Sequence, residues 1–314
     1  MTIRQALIFG TNRLKENDIG SASLDAEILL LHSLNQFKKI NSKSWLYAHS
    51  EYKLKEKEKE IFFDFISKRQ KYKPTAYIIK KKEFFSLDFY VDSRVMIPRP
   101  ETELIVESML SYFSQNFLKQ NNPKKLNIID IGAGSGCIAV TLAKYLSLLK
   151  KFWGQNKIYA LDISKEAIEI AKLNAKKHKV KKKIIFLQGN LLEPLCISLA
   201  RKNYLKKFFS EQITAIAANL PYLNCKQYRN SQKEIKKYEP KGALYGGKNG
   251  LKYIKNLFKQ LNFINPVNCI LWLEIDPFQI NETAKLAKKY FRHCQIKIIK
   301  DLAQYNRILK IKLY

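Results

Sequence analysis

Leu126-Asn127-Ile128-Ile129-Asp130-Ile131-Gly132-Ala133-Gly134-Ser135-Gly136 is the stretch on which the fold turns. Residues 126–130 have the length and apolar content of a short buried strand, and the strand ends in an acid. Three glycines follow at alternate positions, where backbone can turn sharply and approach a ligand with no Cβ in the way. A helix expected over residues 138–149 would present unpaired N–H groups to that ligand. A dinucleotide fingerprint, G-x-G-x-x-G, would need glycine at position 137, where this chain has Cys137. No histidine neighbours Cys137 in sequence, so it is not assigned as a nucleophile.

Downstream, residues 157–162 read as a second strand, again ending in an acid, Asp162, and residues 165–177 as its helix. Residues 184–187, 213–217 and 269–274 read as further strands. Strands alternating with helices predict a parallel α/β sheet covered on both faces. Residues 295–299 and 307–313 have no helix between them, which predicts an antiparallel hairpin at the sheet edge. The G-x-G-x-G spacing, with Asp130 two residues ahead, resembles motif I of class I methyltransferases. That resemblance implies S-adenosylmethionine as cofactor and Gly132, Ala133, Gly134, Ser135 and Gly136 as its contacts. Asp162 can accept both hydrogen bonds of a ribose diol; dinucleotide folds share this logic, and a helix cap is the plainer alternative. At Gly189-Asn190-Leu191 the methyltransferase pattern usually has aspartate beside the adenine. Asn190 keeps an acceptor without the charge, and Leu191 would be an apolar wall.

Asn219-Leu220-Pro221-Tyr222 follows the fourth strand, at the carboxyl edge where open α/β sheets bind ligands. An amide or aromatic amine nitrogen is a poor nucleophile because its lone pair is delocalised. Two acceptors aimed at its hydrogens orient that lone pair and stabilise the developing positive charge. The Asn219 side-chain oxygen and the Leu220 carbonyl can be those acceptors. Pro221 stiffens the turn, and Tyr222 can stack on the planar group. The four residues are therefore the candidates for catalysis and substrate binding, and Asn219 also for cofactor contact.

Before the sheet, residues 1–75 read as a helical domain. Leu24, Ile28, Leu31 and Leu34 fall near helical spacing with Ser21 or Ser23 as N-cap, and Ile61, Phe62, Phe65 and Ile66 share one face of a helix over 54–70. Residues 53–60 read as a solvated face. Pro74 is expected to end the helical part. Residues 76–79 and 84–91 read as strands of a hairpin around Lys80-Lys81-Lys82, which makes 76–97 a hairpin linker and 98–314 the methyltransferase domain.

The 314 residues carry 57 Lys and Arg against 27 Asp and Glu, a formal charge of +30. Such charge suits a polyanion, but lysines are spread along the chain rather than gathered in a stripe, and compositional drift explains them better. Nucleic-acid contact is therefore expected only weakly or by way of the ribosome. No apolar run approaches the ~18 residues of a membrane span, and no secretory signal is visible. Five cysteines without a C-x-x-C pair argue against a metal or disulfide framework and for a cytoplasmic location.

Taken together, the segments resemble the release factor glutamine N5-methyltransferases over essentially the whole chain. Beyond the shared methyltransferase signatures, the resemblance rests on residues 74–79 with Glu83-Phe84-Phe85, and on Ile97-Pro98-Arg99-Pro100-Glu101-Thr102-Glu103, the most distinctive segment. It also rests on residues 238–244, residues 246–251, Glu274 with Gln279, and residues 300–303 with Arg307. It implies a class I sheet with an antiparallel C-terminal hairpin, preceded by a small helical substrate-recognition domain. It further implies methyl transfer to the glutamine of the Gly-Gly-Gln motif in peptide chain release factors, with residues 97–103 lying over the cofactor. Leu220, Asn190 and Asn249 depart from the family's usual proline and aspartates. Ribosomal RNA adenine methyltransferases share the Asn-Leu-Pro-Tyr form but carry their extra helical domain at the other end. A ribosomal-protein glutamine methyltransferase shares nearly every motif, and a catalytically weak translation-factor binding protein is the non-enzyme rival.

Overall fold

The structure is a computed structural model that describes residues 1–37, 42–116, 126–147, 156–198, 208–209 and 213–314. The chain divides into two compact units, Met1–Lys81 with Gln232–Tyr238, and Lys82–Ser231 with Glu239–Tyr314.

The first unit is helical. Helix Ile3–Lys15 starts at a capping box in which the Thr2 hydroxyl accepts from Gln5 N at 3.2 Å and Gln5 Oε1 accepts from Thr2 N at 2.9 Å. It packs with helices Ala22–Asn35 and Glu56–Gln70 around Leu14, Ala26, Leu29, Leu30, Phe62 and Ile66, all buried. The expected face of the second helix needs correction. Leu34 is buried as expected, but Leu24 is 49% exposed, and the buried stripe runs through Ala22, Asp25, Ala26, Leu29, Leu30, Ser33 and Leu34. Ser21 occupies the N-cap position, but its hydroxyl donates to Asp25 Oδ2 at 2.7 Å instead of capping a backbone N–H. The expected solvated face over 53–60 also holds an exception. Glu58 is buried because its carboxylate accepts from Lys55 N at 2.8 Å and from the Tyr52 hydroxyl. Pro74 starts a helical turn, Thr75–Ile78, rather than ending the helical part, since a proline's fixed φ suits a helix entry. The strand expected at 76–79 is therefore helix.

The second unit opens with the hairpin, shifted from its expected place. Strands β1 (Lys82–Phe84) and β2 (Leu87–Phe89) pair across Phe85 and Ser86, both at positive φ, so the lysine run precedes the turn instead of forming it. Then come β3 (Leu126–Ile131), β4 (Lys157–Asp162), β5 (Ile184–Gln188), β6 (Ile213–Asn219), β7 (Cys269–Glu274), β8 (Cys294–Lys300) and β9 (Asn306–Leu313). Among the described residues these seven form one sheet in the order β5-β4-β3-β6-β7-β9-β8. β3 to β7 run parallel, and β9 and β8 are antiparallel, as the missing helix between them predicts. The helix expected over 138–149 is Cys137–Leu146; residues 148–149 lie outside the described part.

Alternation explains why the central strands are apolar throughout. Ile128, Ala215, Ala217, Ile270 and Trp272 face one core, while Ile129, Ile131, Ile216, Ala218, Leu271 and Leu273 face the other. Between β3 and β6 the chain reverses its direction of growth. Ligands bind at such switch points, outside the carboxyl ends of the strands.

Candidate active site

The glycine loop leaves β3 and the Asn-Leu-Pro-Tyr turn leaves β6, on adjacent strands whose register sets Ile131 opposite Ala218. The two loops lie close, with room between them for little more than one added carbon at Gly132. A Cβ on Gly132 would lie 3.4 Å from Leu220 Cδ2 and 3.6 Å from the Asn219 carbonyl oxygen. They wall a cavity of about 400 Å³, which is within the usual range for a small-molecule site. Gly132, Ala133, Gly134, Ser135, Asp162, Asn190, Leu191, Asn219, Leu220 and Pro221 all line it.

Asp162 shapes the loop as well as the cavity. Its Oδ2 accepts from Gly134 N at 2.8 Å and its Oδ1 from Ser164 N at 2.9 Å. Burial pushes its carboxyl up, and the N–H groups of Ser164, Gly134 and Ile163 oppose that. The carboxylate also lines the cavity, where a ligand hydroxyl can meet it. Asp130 stands behind the loop rather than in the cavity. Its Oδ2 accepts from Ala139 N at 3.0 Å in the first turn of the helix, where the helix dipole favours an acid. Burial pushes this carboxyl up to about 7. Asn190 donates to Glu193 Oε1 at 2.7 Å, and Leu191 presents a buried side chain. Two predicted residues stand outside the cavity wall. Gly136, at φ +79°, packs against the next helix, where an added Cβ would come within 3.0 Å of the Ala171 Cβ. Tyr222 lies back toward β7, its hydroxyl 3.4 Å from Glu274 Oε1. Cys137 lines the cavity, but burial pushes its thiol up to about 12, which suits no nucleophile.

Residues 97–103, 238–244, 246–251, Glu274, Gln279 and Arg307 stood out by resemblance alone, and the structure gives them contacts. Pro98, Thr102, Pro240, Gly242 and Ala243 complete the cavity wall. Asn219 and Glu274 are register partners on β6 and β7, with Thr102 bridging them. Asn219 Nδ2 donates to Thr102 Oγ1 at 2.9 Å, and Thr102 Oγ1 donates to Glu274 Oε2 at 2.7 Å. Burial pushes the Glu274 carboxyl up to about 7, against the Thr102 hydroxyl and the charge of Arg307. Gln279 Nε2 donates to the carbonyls of Tyr222 at 2.9 Å and Asn249 at 3.2 Å, tying the turn to the 246–250 loop.

These residues fit S-adenosylmethionine. The bare loop backbone, the Asp162 carboxylate for a diol and the Leu191 wall match its amino acid, ribose and adenine parts. Among the described residues no cluster of three His, Cys, Asp or Glu side chains could hold a metal, and no helix is long and apolar enough to cross a membrane.

Comparison with known proteins gives the same two parts. Residues 5–79 match the family described as PrmC N-terminal domain, and residues 122–245 match a methyltransferase domain family. The release factor glutamine methyltransferase of Dictyoglomus turgidum is 34% identical, over 98% of this chain and 98% of its own. That of Bacillus cereus is 29% identical with the same coverage of both chains. A bifunctional methyltransferase of Rickettsia bellii is 29% identical over 99% of this chain and 55% of its own. The chain is an S-adenosylmethionine-dependent methyltransferase.

Proposed function

Since the chain belongs to the release factor glutamine methyltransferase family, we propose that it methylates the side-chain amide nitrogen of the glutamine in the Gly-Gly-Gln motif of peptide chain release factors. The observation that carries this reading is that the acceptor turn at Asn219–Leu220 and the glycine loop wall the same cavity, so a planar nitrogen on the turn would face a methyl donor held by the loop.

Bound in the cavity, S-adenosylmethionine supplies an electrophilic methyl group on a sulfonium, which carries the hard chemistry. The chain's own residues bind and orient. Gly132, Ala133, Gly134, Ser135, Asp162, Asn190 and Leu191 hold the cofactor. Asn219 Oδ1 and the Leu220 carbonyl accept the two amide hydrogens of the glutamine. Among the described residues neither oxygen accepts another hydrogen bond. With both hydrogens held, the nitrogen is turned toward the methyl, and the positive charge that grows on it faces two oxygens; as the N–C bond forms the C–S bond breaks, leaving a neutral thioether, and the nitrogen gives up one of its two hydrogens to solvent. The reacting atoms must come within roughly 3–3.5 Å, which the enclosed apolar wall favours by excluding water. Leucine at position 220 leaves this intact because only the backbone carbonyl is used. In this reading the N-terminal helices recognise the release factor, and the reaction is cytoplasmic.

The test offers radiolabelled cofactor with purified release factor, ribosomal protein or ribosomal RNA. Label is expected in the release factor, at the Gly-Gly-Gln peptide, and absent when that glutamine is replaced by alanine. Label in RNA and none in release factor overturns the reading.

A further inference from the structure

We propose that Thr102 and Glu274 are positioning residues that fix which end of the Asn219 side-chain amide faces the substrate. The proposal rests on the reading of Asn219 as an acceptor for a substrate amide. A carboxamide has nearly the same shape when rotated by about 180°, but the rotation exchanges a two-lone-pair oxygen for a two-hydrogen nitrogen. With the oxygen outward, Asn219 accepts a hydrogen from the glutamine amide. With the nitrogen outward, it opposes N–H to N–H, and the reacting nitrogen loses one of its two acceptors. Backbone geometry does not distinguish the two states, so something else must.

The hydrogen-bond chain behind Asn219 makes the distinction. A carboxylate only accepts. Glu274 Oε2 therefore takes the single hydroxyl hydrogen of Thr102, at 2.7 Å. With its hydrogen spent, Thr102 Oγ1 can only accept from Asn219, at 2.9 Å, and only Nδ2 can donate to it. Oδ1 is left for the cavity. The two groups behind Asn219 are buried. Glu274 is 1% exposed and Thr102 is 2% exposed, so bulk water cannot stand in for either partner. The Tyr222 hydroxyl is 3.4 Å from Glu274 Oε1, and the Arg307 charge favours the ionised carboxyl while Glu101 opposes it. A buried carboxylate is costly, and a structural contact could be made by apolar side chains of similar size. Setting a polarity is something an apolar contact cannot do.

The test compares Asn219→Ala, Thr102→Val, Thr102→Ser and Glu274→Gln in full-length protein. It measures kcat and KM with purified release factor, cofactor Kd by calorimetry, and Tm. Valine keeps the volume of threonine without the hydroxyl, so kcat should fall about tenfold or more, with cofactor Kd changed by less than about twofold. Serine keeps the hydroxyl and should restore most of the lost turnover. Glutamine at 274 can donate to Thr102 and reverse the chain, so kcat should fall at least as far as with valine. Should Thr102→Val not fold, Glu274→Gln and Thr102→Ser still decide the matter. A valine or glutamine variant with parental kcat overturns the proposal, whatever its Tm. So does a kcat loss that serine does not relieve. If Asn219→Ala keeps parental turnover, the amide-acceptor reading itself fails. If Asn219→Ala is inactive while Thr102→Val is fully active, only the orientation fails.

Discussion

Arg99 Nη2 lies 2.6 Å from Glu239 Oε1, joining two segments 140 residues apart, and Glu239 Oε2 accepts from Ile97 N at 3.2 Å. The pair sits directly behind Pro98 and Pro240, which both wall the cavity. The Glu239 side chain is 1% exposed and that of Arg99 is 29% exposed, so the carboxylate is the buried partner and the arginine reaches solvent in part. Replacing Glu239 by alanine leaves Ile97 N without its acceptor and frees both wall segments. Cofactor Kd should weaken by about tenfold, with a lower Tm. Arg99→Lys keeps charge but not the planar fork, and should fall between the two. Calorimetric titration with S-adenosylmethionine checks both.

Asp162 does two things at once, and a pair of substitutions separates them. Its carboxylate holds Gly134 N and Ser164 N, and it also lines the cavity. Asp162→Asn keeps one acceptor oxygen and loses the charge, while Asp162→Ala loses both. Cofactor Kd should rise by about tenfold for asparagine and about a hundredfold for alanine, as charge-assisted hydrogen bonds are lost. Equal Kd values for parent and alanine variant would remove Asp162 from the cofactor site.

Features carried by local backbone chemistry were legible in the sequence. The glycine loop, the acid at the end of β4 and the 219–222 turn each declare themselves within a few residues, and the strand–helix alternation predicts the parallel sheet, though not its strand order. Several local readings failed, two of them for plainly local reasons. Apolar residues at Leu24, Ile28, Leu29, Leu30, Leu31 and Leu34 leave the helical face underdetermined, and only packing on Phe62 and Ile66 picks Leu29 and Leu30 over Leu24. Thr75-Ala-Tyr-Ile78 has strand-like composition but follows a proline that suits a helix entry. What was not legible is long-range. Nothing in sequence links Thr102 to Glu274 across 172 positions, or Arg99 to Glu239. Resemblance could flag these residues, but their contacts follow only from the fold.

A buried ionic network lies within the helical unit. Arg69 Nε is 2.8 Å from Asp25 Oδ2 and its Nη1 is 2.6 Å from Glu234 Oε2, with the Thr75 hydroxyl on Asp25 Oδ1 at 2.8 Å. Glu234 belongs to helix Lys233–Tyr238, so Arg69 ties that late segment to the N-terminal helices. Removing one partner from a buried pair leaves an uncompensated charge and costs about 3–5 kcal/mol. Arg69→Met should destabilise this unit by that order in denaturant unfolding and speed amide exchange over residues 233–238. Exchange there at the parental rate would mean that Arg69 does not hold the segment.

Glu274 should make stability and turnover respond to pH in opposite directions, and Asp130 should add to the stability effect alone. Burial raises Glu274 from 4.5 and Asp130 from 3.8, each to about 7. Between those limits the folded chain keeps protons that the unfolded chain has released. Stability from these groups is therefore greatest at the acid end, falls as pH rises through the window, and levels off above about pH 7. Turnover should do the reverse. The ionised carboxyl is the form that compels Thr102 to donate, so kcat should climb through about pH 7 and then plateau. Tyr222, Arg307 and Glu101 face Glu274, and burial holds the Tyr222 hydroxyl protonated well above this range. Two substitutions assign the effects. Glu274→Gln should abolish the acid limb of kcat and flatten part of the stability slope. Asp130→Asn should flatten the stability slope and leave the kcat limb in place, because Asp130 meets the helix rather than the acceptor turn. Paired kcat and Tm profiles from pH 5 to about 9 measure both. An acid limb that survives in Glu274→Gln would move the controlling proton to another group.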